Sequence, residues 1–546
     1  MVAVVRDVDL GRLGGRRAVE RRLLEEFCQD RRRPSITGGA STRTGRTRGR
    51  PGLSPSDTSV AAASVADCAS AGRAPTPRQA HITTPHTAAK RIVSTLYLVA
   101  RLVTVSSRRQ TVDYTVGRTP PAPPRTAKIR AMKLVALTLA LAYLAAGPQA
   151  AAQDLARVTP ESVGLSSAGL TAATAALQDH VDAGDVAGVV AAVARHGKLV
   201  YLEALGQRDL AAGDVMPEDA IFRLYSMTRP ITSTAVMILW EEGKFQLDDP
   251  VSRYIPEFED QRVFLDASDP DLSQTRARDG DITVRHLLTH SSGIGSRSST
   301  IYRAEGVRLR SIPLTQMVAN AARVPLFEDP GTRFRYGIST TMLGRLVEIW
   351  SGQPFEEFLQ ERVLAPLGMT DTVFWADGKR ADRLTSVYRP DRETGALRPH
   401  AIEEVPFTQR PTLIEGGVGL LSSVMDFVRF SQMFLNAGEL GGTRVLRADT
   451  VALMTRNHLP DTVLPIGGGY MAGSGWGLGF NVVLDASAYS FPVGQGEYWW
   501  DGSSGTRFSI DPEHGIVAVI MAAVSPSRGG GFREEFKELV YGAIVD

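Results

Sequence analysis

The sequence predicts an α+β protein. An antiparallel sheet is built from both ends of the folded chain and flanked by helices, with a largely helical subdomain inserted between. Three observations carry this. Short apolar, β-rich runs broken by turn residues occur near residue 190 and again near residue 515. Helical stripes closed by glycine fill the stretch between them. A last helical pattern follows the second β pair, so two hairpins distant in sequence have helices to cover them.

Residues 165–184 place Leu170, Ala173, Leu177 and Val181 on one helical face, with Gly184 as a stop. Gly188-Val189-Val190-Ala191-Ala192-Val193-Ala194, a turn at His196-Gly197, and Leu199-Val200-Tyr201-Leu202 read as an antiparallel hairpin. Ile231, Ala235, Ile238 and Leu239 make a stripe ending at Gly243. Leu343, Leu346, Val347 and Trp350 make another, closed by Gly352. Phe355, Phe358, Leu359 and Val363 follow Pro354 and stop before Pro366. Arg507-Phe508-Ser509-Ile510, a turn over 511–515 and an apolar run over 516–521 form the second β pair, and 532–545 is the closing helix. The sheet part therefore spans about 153–225 and 475–546, and the helical part about 226–474. No internal repeat is visible.

Residues 1–131 are of a different kind. They carry 24 Lys and Arg against 9 Asp and Glu, with no sustained apolar period, which is the composition of a disordered segment. Met132-Lys133 then opens an apolar run that ends in Gly147-Pro148 and Ala150-Ala151-Ala152. That is the pattern of a secretory signal peptide over 132–152, shorter than the roughly 20 residues of a membrane span. Signal peptides begin proteins, so translation is expected to start at Met132, with 1–131 a mis-assigned start. The alternative is a basic, disordered nucleic-acid or membrane arm.

The body, 153–546, has 36 Lys and Arg against 50 Asp and Glu, so the net charge of +2 for the whole chain misleads. An acidic body gives no reason to expect nucleic acid as a partner. Both cysteines, Cys28 and Cys68, lie upstream, which excludes disulfides, thiolate metal sites and cysteine nucleophiles from the body.

The most informative segment is Leu224-Tyr225-Ser226-Met227-Thr228-Arg229-Pro230-Ile231-Thr232. Ser226 to Arg229 has the form of a Ser-x-x-Lys nucleophile motif with arginine in the lysine position. A desolvated lysine one helical turn from a serine can take the hydroxyl proton. Arginine keeps its charge at any usable pH and cannot. Ser226 falls where an extended segment turns into a helix, close to unpaired N–H groups and the positive end of the helix dipole. The plain alternative is a helix-capping serine.

Further segments settle that choice. In order, they are Leu247-Asp248-Asp249-Pro250-Val251-Ser252-Arg253-Tyr254-Ile255-Pro256, Ile282-Thr283-Val284-Arg285-His286-Leu287-Leu288-Thr289-His290-Ser291-Ser292-Gly293-Ile294, Pro330-Gly331-Thr332-Arg333-Phe334-Arg335-Tyr336-Gly337-Ile338-Ser339, Leu364-Ala365-Pro366-Leu367-Gly368-Met369-Thr370-Asp371-Thr372, Gly416-Gly417-Val418-Gly419-Leu420-Leu421-Ser422-Ser423 and Trp500-Asp501-Gly502-Ser503-Ser504-Gly505-Thr506. With the Ser226 segment they resemble, in family order, the serine β-lactamase-like superfamily of class C β-lactamases, D-Ala-D-Ala peptidases and related esterases. The resemblance covers nearly all of 155–546.

That resemblance implies the β-lactamase/transpeptidase-like fold and a set of roles. Ser226 is the nucleophile, and Tyr336, of the tyrosine motif, is the base. Arg229 is a fixed cation expected to lower the phenol's pKa toward phenolate. Ile338 replaces a polar third residue of that motif, which weakens the case for β-lactam chemistry. Trp500-Asp501-Gly502 stands where β-lactamases have Lys-Thr-Gly. Trp500 would be a flat apolar wall, and Asp501, if it faces the cleft, would repel anions. Gly502 would let substrate backbone come close, and the Ser503 amide would share the oxyanion hole with that of Ser226.

The expected activity is that of a periplasmic or secreted serine hydrolase acting on an ester or small amide through an acyl-enzyme. No cofactor, metal, nucleic-acid partner or lasting membrane insertion is expected. His286 and His290 lack the Glu of a His-Glu-x-x-His zinc helix. Lys198, Lys244, Lys379 and Lys537 are the only lysines of the body, and none falls in a motif. Two rivals stand: a catalytically silent binding protein of the same fold, favoured by Arg229, and a β-lactamase or D,D-peptidase. Oligomeric state and substrate identity are not legible.

Overall fold

The computed structural model describes residues 155–266, 268, 274–525 and 531–545. The expected disordered segment 1–131 and signal peptide 132–152 lie outside the described residues.

Eight strands form one antiparallel sheet, in the spatial order Ser474–Trp476, Asn481–Val483, Tyr498–Gly502, Thr506–Asp511, Ile516–Ala522, Gly188–Arg195, Lys198–Asp209 and Asp214–Val215. The two predicted hairpins join in the middle, where Val189 pairs with Ala522 and Arg195 with Ile516. Gly188–Arg195 is buried along its whole length. Side chains alternate faces along a strand. Val189, Ala191 and Val193 accordingly pack against the helices Ser167–Asp182 and Phe532–Gly542, while Val190, Ala192 and Ala194 enter the larger core on the other side. A strand covered on both faces reads as continuous apolar sequence, which is how this one was recognisable.

The first helix begins at Ser167, its backbone capped by the Ser166 side chain, which accepts from the Gly169 N–H at 3.3 Å. The helix expected from Ile231 starts earlier, at Thr228, because Pro230 falls in the first turn, where its missing N–H costs nothing. The stripe after Pro354 is helical over Phe355–Leu359 and continues as a π-turn through Gln360–Leu364.

One helix assigned by sequence to the helical part, Val424–Leu435, instead packs on the sheet against Thr506–Asp511, Ile516–Ala522 and Gly188–Arg195. Another pair of helices in that part bears on the site. Thr228–Glu241 and Ser339–Ser351 lie side by side, and the turn before Thr228 packs against the end of Tyr498–Gly502. That junction brings together all the segments expected to carry chemistry.

Candidate active site

Ser226 is set by two constraints on the backbone before it. Phe222–Arg223 pairs with Leu421–Ser422, and the Leu224 N–H donates to the Leu420 carbonyl at 2.9 Å. Tyr225 then adopts a left-handed conformation, φ 44°, which costs a non-glycine residue about 1–2 kcal/mol. Burial of its ring offsets this: Tyr225 meets Phe407 edge-on at 6.2 Å and carries the Arg297 guanidinium 5.1 Å above it. Ser226 emerges half-buried on the 3-10 turn Tyr225–Met227, while Tyr225, Met227, Thr228 and Arg229 are buried. It therefore precedes the helix rather than occupying its first α-turn.

Tyr336, the expected base, stands beside Ser226, whose side chain helps lower the phenol's pKa. Its oxygen accepts from Trp500 Nε1 at 2.8 Å, and the charge of Arg229 acts on it. The Arg229 guanidinium carbon lies 4.3 Å from the centre of the phenol ring. The Arg229 cation over the ring and the Trp500 N–H at the oxygen both favour the anion.

The expected lowering of the phenol's pKa is nevertheless not what the site holds. Burial raises the Tyr336 pKa above its ordinary value and outweighs Arg229, which lowers it, and then Ser226 and Trp500. Rings of His290, Trp500 and Trp476 flank this half-buried side chain at 4.6, 5.0 and 6.0 Å and displace part of the water an anion needs. Tyr336 therefore rests as a neutral phenol. Arg229, 5% exposed, is held by a hydrogen bond from Nη1 to Thr340 Oγ1 at 2.9 Å.

The Trp500 motif differs from expectation in three respects. Trp500 is a hydrogen-bond donor to Tyr336 as well as an apolar wall. Asp501 points to the opposite face of the strand, where its carboxylate accepts from Arg533 Nη1 at 3.3 Å, so it does not stand in the cleft to repel anions. Gly502 is required by the chain itself: a Cβ there would lie 2.2 Å from the Leu224 carbonyl oxygen and 2.3 Å from Thr506 Oγ1. Its missing side chain lets the strand touch the nucleophile turn, rather than making room for substrate. Ser503 is exposed on the turn just past Gly502. Ile338 is a core residue, 4% exposed, with its N–H donated to the Gly295 carbonyl at 3.1 Å, and it does not serve as a substrate contact.

Several site residues escaped the sequence reading. Trp476 is fully buried, meets Trp500 edge-on at 4.5 Å and donates Nε1 to the Leu288 carbonyl at 3.2 Å. Thr340 and His290 support Arg229 from behind. Thr340 had a weak signal, since it follows Tyr336 by four residues at the start of Ser339–Ser351. Trp476 had none, lying among glycines.

No lysine replaces Arg229. Lys198, Lys244 and Lys379 are exposed, and Lys537 is buried in an ion pair with Glu497. His286 caps the helix Val284–Leu288 by accepting the Thr283 N–H on Nδ1. Among the described residues, Asp511, Glu513 and His514 bring possible metal-ligand atoms within 4.8 Å of one another. They lie at the far end of Thr506–Asp511 from Gly502, and Asp511 already accepts from the Glu513 and His514 amides and His514 Nδ1.

Known proteins resemble this chain over nearly its whole described length. An uncharacterized protein of Mycobacterium tuberculosis is 35% identical over 366 residues, covering 64% of this chain and 89% of its own. Esterase EstB of Burkholderia gladioli is 30% identical over 393 residues, 67% of this chain and 93% of its own. Among solved structures, EstCE1, a hydrolase with promiscuous acyltransferase activity, superposes with a TM-score of 0.61 at 26% identity, over 68% of this chain and 98% of its own. The Beta-lactamase family model matches residues 173–540, and the chain belongs to that family.

Proposed function

We propose that the protein is a periplasmic or secreted serine esterase that works through an acyl-enzyme. The observation that supports this most is the meeting of Ser226, Arg229 and Trp500 at Tyr336. In the proposed cycle the minor phenolate form of Tyr336 takes the Ser226 proton as Oγ bonds to the ester carbonyl. The tetrahedral oxyanion is held by the Ser226 and Ser503 amides; such a donor is worth about 2.7–4 kcal/mol of barrier. Collapse expels the alkoxide, which takes the proton back from Tyr336. Water then attacks the acyl-enzyme by the same route in reverse. An alcohol can replace water in that step, consistent with the acyltransferase activity named for EstCE1.

Arg229 takes no proton in this scheme. Burial chiefly lowers its pKa, Tyr336 opposes that, and a guanidinium starts high enough to stay charged. Its work is to offset the desolvation of the phenolate. Substrate is expected to be an ester or small amide. The Trp500 motif offers an indole in place of a lysine, and the Asp501 carboxylate is occupied by Arg533, so neither recommends a β-lactam or peptide carboxylate.

A fluorophosphonate probe tests the reading. Labelling of wild type and not of Ser226→Ala, with turnover of p-nitrophenyl esters well above that of nitrocefin, is the expected result. Labelling of neither protein would favour a silent binding protein, the reading that Arg229 invites. Nitrocefin turnover equal to that of esters would favour a β-lactamase.

A further inference from the structure

We propose that Thr340, backed by His290, is a positioning residue for the base, fixing the Arg229 guanidinium over Tyr336 and so setting how readily the phenol ionises. The inference rests on the reading of Tyr336 as base and adds two residues to it.

Thr340 sits in the first turn of Ser339–Ser351, 3% exposed, and its Oγ1 accepts from Arg229 Nη1 at 2.9 Å. Having accepted there, the hydroxyl must direct its own proton elsewhere. His290 Nε2 lies 3.5 Å away, at the outer limit of a hydrogen bond. According to its tautomer, a neutral imidazole accepts the hydroxyl proton on Nε2 or donates Nε2–H to the hydroxyl oxygen, and either holds Thr340 in place. Burial, and after it Arg229, hold the His290 pKa well below its ordinary value, so the neutral ring is the one present. Nδ1 itself is buried without a partner. The backbone of His290 is left-handed, φ 54°, and its carbonyl accepts from the Arg335 N–H at 2.7 Å, one residue before Tyr336. The same histidine thus touches both the tether of the cation and the segment that carries the base.

The guanidinium has little room to find another position. A Cβ on Gly417 would lie 3.7 Å from Arg229 Nη1 and 2.7 Å from Thr341 Oγ1, so the backbone of Gly416-Gly417 closes that side. Other charged and titratable groups face this pair. Asp501 acts on the phenol, as does Tyr470, while Arg297 and Glu415 act on Arg229. All of them stay in place when Thr340 changes. What changes is the point that holds the cation over the ring, and an electrostatic attraction falls with distance.

The test compares Thr340→Val, which keeps the volume and removes the hydroxyl, with Thr340→Ser, which keeps the hydroxyl. Two readouts are taken: the pH profile of kcat/KM for p-nitrophenyl acetate, and the ultraviolet titration of Tyr336 as the difference between each protein and its Tyr336→Phe partner. Thr340→Val is expected to move both ionisations up by about half to one pH unit, with kcat/KM near pH 8 down about three- to tenfold and KM within twofold. Thr340→Ser restores both. His290→Phe moves both in the same direction as Thr340→Val. An unshifted ionisation in Thr340→Val, or Thr340→Ser failing as badly as Thr340→Val, overturns the proposal. The titration needs no turnover, so an inactive wild type would sink the esterase reading while the Thr340 result still decides this one.

Discussion

Trp500 and Tyr336 stand 164 residues apart in sequence, yet the indole Nε1–H reaches the phenol oxygen at 2.8 Å, with the rings 5.0 Å apart and tilted by 49°. The position that holds a lysine in β-lactamases here donates to the base instead of to substrate. Trp500→Phe keeps most of the ring volume and removes the donor. A hydrogen bond to a charged acceptor is worth about 1.5–3 kcal/mol, so kcat is expected to fall at least tenfold at neutral pH. Thermal midpoint and kcat measured together check that the loss is not one of folding.

Tyr336→Phe removes the oxygen around which Ser226, Arg229 and Trp500 gather. General-base catalysis contributes about 10²–10⁴-fold, and a loss in kcat of that size is expected, with fluorophosphonate labelling slowed in proportion. Labelling at the wild-type rate would remove Tyr336 from the mechanism.

The pH profile follows from the direction of the Tyr336 shift. Burial raises its pKa above the ordinary value, near 10 for tyrosine, and the proposed cycle uses the phenolate. Activity should therefore rise about tenfold per pH unit through the neutral range and keep rising past pH 9. A plateau between pH 6 and 8, after correction for spontaneous hydrolysis, would mean that another group is the base.

Arg229→Lys tests whether arginine is a handicap or an adaptation. The guanidinium spans Thr340 Oγ1 at 2.9 Å and the Tyr336 ring at 4.3 Å, a reach a single ammonium cannot reproduce. The variant is expected to lose more than tenfold in kcat/KM, over about 1.4 kcal/mol of barrier. A gain would show that the lysine chemistry is only suppressed.

Gly502→Ala forces a Cβ to within 2.2 Å of the Leu224 carbonyl oxygen. Overpacking of this kind costs about 1–3 kcal/mol or more, and it strikes the backbone that presents Ser226. Lower melting temperature and lost activity are expected together. Gly542→Ala is the control: no atom lies within 4 Å of that Cβ at the end of the last helix, so stability should hold or improve.

The parts legible from sequence were those with long or strict patterns. The central hairpins, the helix after Ser226 and the placement of Tyr336 beside it all follow from periodicity and motif order. What failed was short or depended on direction. Ser474–Trp476 and Asn481–Val483 are three-residue strands among glycines, with too few side chains to alternate visibly. Asp501 and Trp500 are neighbours in sequence and opposites in space, and only the register with Arg507 and Phe508 tells which faces the base. The sign of the Tyr336 shift was missed because one nearby cation is plain in the sequence, whereas three aromatic rings drawn from distant segments are not.

The seam between Gly188–Arg195 and Ile516–Ala522 has a consequence for biosynthesis. Gly188–Arg195 must wait for Ile516–Ala522 before the middle of the sheet can close, a pairing of large sequence separation and therefore slow to form. Trimming the final strand or helix would strip the whole sheet of its keystone, not merely shorten one edge.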